Sequence, residues 1–177
     1  MVLWLGAGLG CQHLGLGSEA CSGAVARDRL PGDFSLHVRA RLARGGETQR
    51  HEAFVQVSDR AVTMVGLTPL GTQAYTLTLD ADGLDLDNRI GRHLGLEPAA
   101  LFDAIARAWI VPRAREKESA LPRSGERLLL GPEAGSWRYV DGSSDGVARV
   151  LSEADGMRVV SPVCGYDARL VLLPRAS

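Results

Sequence analysis

Hydrophobic side chains fall at every second position over much of this chain. Phe34, Leu36, Val38, Ala40 and Leu42 alternate with Ser35, His37, Arg39 and Arg41. A period of two marks a strand with one face on a core and the other in water. Arg44-Gly45-Gly46-Glu47 is a turn. Gln49 to Val57 follows as a strand, with Ala53, Val55 and Val57 on one face and His51, Glu52 and Gln56 on or near the other. Ser58-Asp59-Arg60 turns the chain into Ala61–Leu67. The stretch from Val62 to Asn88 organises this half: a strand, a tight loop, a second strand, a turn and a third strand. Tyr75, Leu77 and Leu79 alternate with Thr76, Thr78 and Asp80, and Leu84 and Leu86 alternate with Asp85 and Asp87. Strands so close in sequence must pair antiparallel, because parallel pairs need long crossovers.

The period then changes. Pro98 suits the first turn of a helix. Leu101, Phe102, Ile105 and Trp109 follow as an apolar stripe on a helix of about three turns, and Pro112 is expected to stop it. Residues 113–125 carry alternating charges with Pro122 and Gly125 and are read as a linker. Five further short strands are expected at Arg127–Leu130, Ser136–Val140, Val147–Leu151, Met157–Ser161 and Asp167–Leu173, separated by turn chemistry such as Asp155-Gly156. Five strands, a helix and about five more strands predict a mainly β fold with some helix. Its architecture is one strongly curved antiparallel sheet, an incomplete β-barrel with a helical lid. Such a sheet could enclose an apolar ligand cavity.

Leu67-Thr68-Pro69-Leu70-Gly71 stands out within this pattern. Proline fixes φ and glycine permits positive φ, so the loop is a defined turn. Leu70 lies between the two breakers, where a polar residue is usual. It is either held out as an apolar wedge for lipid or a partner, or folded back onto the core.

Composition narrows the function classes. The 177 residues suit one domain, with 45% hydrophobic and 23% charged residues. The formal net charge of -1 and the scattered 5% of aromatic residues offer neither the basic field nor the stacking platform of a nucleic-acid binder. Residues 1–17 begin with an apolar run, Val2 to Gly10, too short to span a membrane but about the length of a signal-peptide core. Gly8-Leu9-Gly10-Cys11 is similar to a bacterial lipobox, which makes Cys11 the candidate lipidation site. No Lys or Arg precedes the run, and Gly8 stands where a lipobox usually has leucine. A start of translation further upstream would explain the first departure. The alternative is a mildly apolar terminus with an ordinary cysteine. Residues 12–32 are rich in Gly and Ser and read as a tether. The expected organisation is therefore a signal-peptide-like segment at 1–10, an anchor and tether at 11–32, and a folded domain at 33–177.

The order of these features resembles the LolB-like outer-membrane lipoproteins of Gram-negative bacteria, including envelope lipoproteins found beside aryl-polyene biosynthesis genes. The resemblance covers roughly Asp33 to Pro112. It rests on the lipobox-like cysteine and tether, three meandering strands, the Thr68-Pro69-Leu70-Gly71 loop with its alternating strand and aspartate-rich turn, and the helix. It implies a LolA/LolB-like half-barrel that holds acyl chains, with Pro69, Leu70 and Gly71 as a membrane- or partner-inserting loop. Phe34, Leu36, Val38, Tyr75, Leu77, Leu79, Leu101, Ile105 and Trp109 are the candidate lining of an apolar cavity. The implied partners are an acyl chain or lipoprotein, a membrane reached through the lipid anchor, and envelope transport proteins. The implied location is the outer membrane, facing the periplasm. No cofactor is expected.

Sharper chemistry finds little support. Asp80, Asp82, Asp85 and Asp87 lack the glycine and glutamate positions of a calcium loop and read as a hairpin turn followed by solvent-facing carboxylates. His51-Glu52 lacks the second histidine of a zincin and lies on a strand. No nucleophile elbow occurs. His13, His37, His51 and His93 are read as polar surface. Cys164 is expected as a buried thiol. A Cys21–Cys164 disulfide is the alternative in an oxidising envelope, with the placement of Cys21 in the tether against it. No catalytic constellation emerges, so a non-enzymatic binding or transfer protein is expected. The alternative is a tethered scaffold module of an envelope export complex with no bound ligand.

Overall fold

A computed structural model describes residues 32–89, 98–116, 126–140 and 146–174, with the side chains of 114–116 excepted. The expected signal segment, lipidation site and most of the tether lie outside the described residues. The first five strands are β1 (Phe34–Arg44), β2 (Glu47–Val57), β3 (Val62–Leu67), β4 (Gln73–Leu79) and β5 (Leu84–Asn88). A helical stretch follows, made of α1 (Pro98–Ile105), a π-helical turn (Ala106–Ile110) and α2 (Val111–Glu116). The last five strands are β6 (Arg127–Leu130), β7 (Trp137–Val140), β8 (Ala148–Glu153), β9 (Gly156–Ser161) and β10 (Tyr166–Leu172).

The ten strands among the described residues join one sheet in the order β5-β4-β3-β2-β1-β10-β9-β8-β7-β6. Every pairing is antiparallel. The two halves are meanders, zipped together where β10 returns to β1 with Val38 opposite Leu172 and Arg44 opposite Tyr166. β5 and β6 are the two edges, so the sheet is unclosed. The alternation in the sequence explains the faces. Leu36, Val38, Ala40 and Leu42 are buried, whereas Arg39 and Arg41 between them are exposed.

From Ala100 to Val111 every residue of the helical stretch is buried. A helix covered on all sides sits inside a core rather than on it. Its residues share one cluster with inward-facing side chains of β1 to β4 and β7 to β10. The sheet therefore wraps around the helix, as expected of a curved, incomplete barrel. The helix occupies the concavity instead of only bridging its mouth.

Pro112 does not end the helix as expected; α2 runs on to Glu116, into the stretch read as linker. The π-helical turn is the physical reason. The N–H of Val111 donates to the carbonyl of Ala106, five residues back. That slip removes the usual α-helical donor from the Arg107 carbonyl. Pro112, the next residue in the π register, has no N–H to replace it. The proline thus sits where its missing donor is compensated from another element, as the buried site below shows.

Candidate functional site: an exposed loop and a filled interior

Two features carry the functional argument, the Thr68–Thr72 turn and the interior beneath it. The turn is braced by its own hydrogen bonds. Gly71 N–H donates to the Thr68 carbonyl at 2.9 Å and Thr68 N–H to the Thr72 carbonyl at 2.8 Å. The two threonine hydroxyls share a bond of 2.7 Å, and Thr72 N–H donates to Thr68 Oγ1 at 3.2 Å. Gly71 takes φ 78°, a left-handed conformation that glycine adopts without a Cβ penalty. Leu70 is held at the tip with 90% of its surface exposed. Of the two sequence expectations for this residue, the structure has the projecting one.

Pro69 and Gly71 also border a groove of about 560 Å³ with Arg39, Arg50, His51, Glu52, Leu67 and Thr68. His51 corrects the expectation of a polar surface residue. It shares the inner face with Ala53 and Val55, is 5% exposed, and its Nε2 has no hydrogen-bond partner among the described residues. Residues two apart on a strand share a face, so His51 follows Ala53 inward despite its polar ring. Burial lowers its pKa to about 4, so the ring is neutral at physiological pH. His37 behaves differently. It lies on the outer face, stacks on Phe54 at 4.0 Å and bonds Glu52 at 2.9 Å. That bond, against a smaller desolvation effect, lowers the Glu52 pKa.

The interior gathers the apolar residues singled out in the sequence. Leu36, Val38, Tyr75, Leu77, Leu79, Leu101, Ile105 and Trp109 belong to one buried cluster, and Phe34 packs against it. The Arg113 guanidinium lies 4.4 Å above the Phe34 ring. Tyr75 fits because Gly66 stands directly opposite; a Cβ there would fall 2.1 Å from the ring. The Tyr75 hydroxyl is buried with no hydrogen-bond partner among the described residues, and burial raises its pKa.

Sequence reasoning missed the polar centre of this interior. Arg107, fully buried, donates from Nε to Asp103 at 3.0 Å and from both terminal nitrogens to Glu126 at 3.0 and 3.2 Å. Tyr166 donates to Asp103 Oδ2 at 2.6 Å, while Asp103 Oδ1 has no hydrogen-bond partner among the described residues. The Arg107 carbonyl, stripped of helical donors, accepts from the Tyr139 hydroxyl at 2.8 Å and from Trp137 Nε1 at 3.2 Å. Burial raises the Asp103 pKa even though Arg107 and Tyr166 pull the other way. Burial pulls Arg107 down, but its two carboxylate partners outweigh that and hold it charged. The cluster staples the helix to β10, to β7 and to the start of β6. Its signal in the sequence is an acid–base pair four residues apart on a helix otherwise apolar all round.

Asp80 caps its own turn, accepting from Asp82 and Gly83 N–H groups at 2.9 and 3.2 Å. Cys164 is buried but is not the free thiol expected; it is disulfide-bonded. The chain has two other cysteines, Cys11 and Cys21, both outside the described residues.

A family model described as a protein of unknown function, DUF3261, matches residues 36–160, well over half of the chain. The chain belongs to the DUF3261 family. Within this DUF3261 chain, the matched span starts in β1 and ends in β9, so it includes the loop and every member of the buried polar cluster except Tyr166. No curated protein matches the sequence. Among solved structures, a LolA superfamily protein from Nitrosomonas europaea is similar, with TM-score 0.38, 9% identity, and 89% of this chain and 90% of that one covered. A DUF1329 family protein from Desulfovibrio piger is similar with TM-score 0.34 and 11% identity over 80% and 83% of the two chains. A Vibrio parahaemolyticus domain named for outer membrane lipoprotein sorting gives TM-score 0.35 and 9% identity over 84% and 86%. At these scores the fold description rests on the strand order itself.

Proposed function

We propose that this chain is a non-enzymatic envelope lipoprotein that binds or hands over an acylated or lipid-like molecule at the bacterial outer membrane. On this reading Cys11 anchors it, the domain faces the periplasm, and the partners are an acyl chain or lipoprotein and envelope transport proteins. The observation that carries the reading is Leu70, held 90% exposed on a turn fixed by hydrogen bonds. Exposing a leucine on a rigid support gives up burial worth about 2 kcal/mol, which is recovered when the side chain enters an apolar phase. The resemblance to LolB-like lipoproteins in the order of features supports the same role for Pro69, Leu70 and Gly71.

The residues proposed to receive the acyl group are Phe34, Leu36, Val38, Tyr75, Leu77, Leu79, Leu101, Ile105 and Trp109. They are packed on one another and on the helix, so uptake on this reading requires the helical stretch to shift. The same packing favours a second reading, a tethered interaction module with a filled interior and no ligand.

Insertion of the loop is tested by replacing Leu70 with tryptophan and adding vesicles that contain brominated lipid. The extra fluorescence should be quenched by the bromine atoms. Fluorescence indifferent to brominated lipid would overturn the role given to the loop.

A further inference from the structure

The outer face of the sheet carries a row of arginines that acyl binding leaves unused. Register places Arg50 opposite Arg41, Arg41 opposite Arg169 and Arg169 opposite Arg158, so the row crosses β2, β1, β10 and β9. Each alternates with side chains that face the core and therefore points outward. Arg138 and Arg149 face each other further along on β7 and β8. Like charges directly opposite one another weaken a sheet.

Acidic neighbours neutralise only part of the row. Arg158 pairs with Asp167, Arg39 with Glu52 at 3.3 Å, and Arg169 approaches Glu153 at 3.9 Å. Among the described residues, Arg41, Arg50, Arg138 and Arg149 have no ion pair. The whole chain carries a formal charge of -1, so this excess of positive charge is local. A small groove of about 230 Å³ lies on the row, lined by Arg41, Ala43, Thr48, Asp167 and Arg169.

One end of the row meets the projecting loop. Arg50 and Arg39 share the larger groove with Thr68, Pro69 and Gly71. An apolar tip beside fixed cations is suited to an anionic bilayer, where the tip enters the acyl boundary and the cations hold headgroup phosphates. Guanidinium groups fit phosphate oxygens in pairs. With strands about 4.8 Å apart, Arg50, Arg41 and Arg169 span about 10 Å of surface. We propose that this outer face binds anionic phospholipid headgroups through Arg50, Arg41 and Arg169 while the Leu70 turn enters the same membrane beside them. The proposal rests on the membrane-inserting reading of Leu70 and adds the lipid charge that the surface selects.

The test is co-sedimentation of the full chain with phosphatidylcholine vesicles, with and without phosphatidylglycerol, at low and high salt. The wild type should bind the anionic vesicles about tenfold tighter at low salt, and high salt should erase the preference, because exposed charges are screened within about 10 Å. Basic residues near such a surface add to that preference. Arg41→Glu with Arg169→Glu should therefore abolish the preference. The reversed side chains face Arg50 and Arg158, but they also face each other and Glu153, so the melting temperature is measured alongside; Arg41→Gln with Arg169→Gln, which adds no like-charge pair, gives the same reading if it falls. Leu70→Ser should weaken binding to both vesicle types and keep the anionic preference. If Leu70→Ser changes nothing while the arginine variants lose the preference, the loop reading fails and the headgroup surface stands. A wild type without preference, or a preference that survives both arginine pairs, overturns the proposal. So does equally tight binding to single-stranded DNA of matched charge, which would make the face a general polyanion surface.

Discussion

The Tyr139 hydroxyl donates to the Arg107 carbonyl at 2.8 Å, while the Arg107 guanidinium lies 4.6 Å above the ring of the same tyrosine. One strand side chain thus satisfies a helix carbonyl and a helix cation together. The need arises in the sequence. Val111 donates to Ala106, and Pro112 has nothing to donate, so the Arg107 carbonyl would otherwise be a buried, unpaired acceptor. Tyr139→Phe keeps the ring over the guanidinium and removes the hydroxyl. With Trp137 still donating, the expected loss is about 1 kcal/mol, read as a lower midpoint in urea denaturation.

The buried charges should behave as a unit. Arg107→Met leaves Asp103 and Glu126 inside the protein without their cation, at an expected cost of about 3–5 kcal/mol. Replacing Asp103 and Glu126 by apolar residues of similar size in the same chain should recover most of that loss. A double replacement that recovers nothing would show that Arg107 acts through packing rather than charge.

Stability should fall in mild acid because of His51. Its folded pKa is about 4 against an ordinary value of 6.5. The unfolded chain therefore takes up a proton at higher pH than the folded one. The stability is fully present above about pH 6.5 and is lost as pH falls toward 4, by roughly 3 kcal/mol. Thermal melts of His51→Leu across this range should show a flatter pH dependence than the wild type. Equal slopes would assign the acid sensitivity to other groups.

Gly66 and Tyr75 should prove interdependent. Gly66→Ala puts a methyl group into the ring of Tyr75 and should cost about 1–3 kcal/mol. Adding Tyr75→Leu should remove much of that penalty, and a double-mutant cycle in urea measures the coupling.

Lipidation and the disulfide constrain each other. A cysteine whose sulfur carries a lipid cannot also form a disulfide. If Cys11 carries lipid, Cys164 must pair with Cys21. Peptide mapping of the non-reduced chain, purified from a bacterial envelope, should recover Cys21 linked to Cys164. A Cys11–Cys164 peptide would remove the proposed anchor.

The strands were legible because each keeps one buried face. Leu36, Val38 and Ala40 announce β1, and Tyr75, Leu77 and Leu79 announce β4. The second half alternates less clearly, yet Arg127–Leu130 still has the bounds read from sequence because Gly131-Pro132 ends it. The continuation of the helix past Pro112 was not legible. It depends on a register slip and on donors from β7, which lie far along the chain. The burial of His51 follows its phase with Ala53 and Val55 and not its polarity, which points the other way. The turn of the loop was readable, since Pro69 and Gly71 fix its backbone, but the direction of Leu70 was not, because an apolar side chain on such a turn can project or fold back. The outer arginine row required the strand register, which sequence alone does not supply.

Native mass spectrometry of the full chain, expressed in a bacterial periplasm and gently purified, separates an acyl carrier from a filled module. A carrier should show a population with a bound acyl species, lost when Leu77 or Leu79 is replaced by glutamate in a variant that still folds. A clean unliganded mass, with no uptake of added fatty acid or lipopeptide, would rule out the carrier and leave a tethered interaction module with a filled interior.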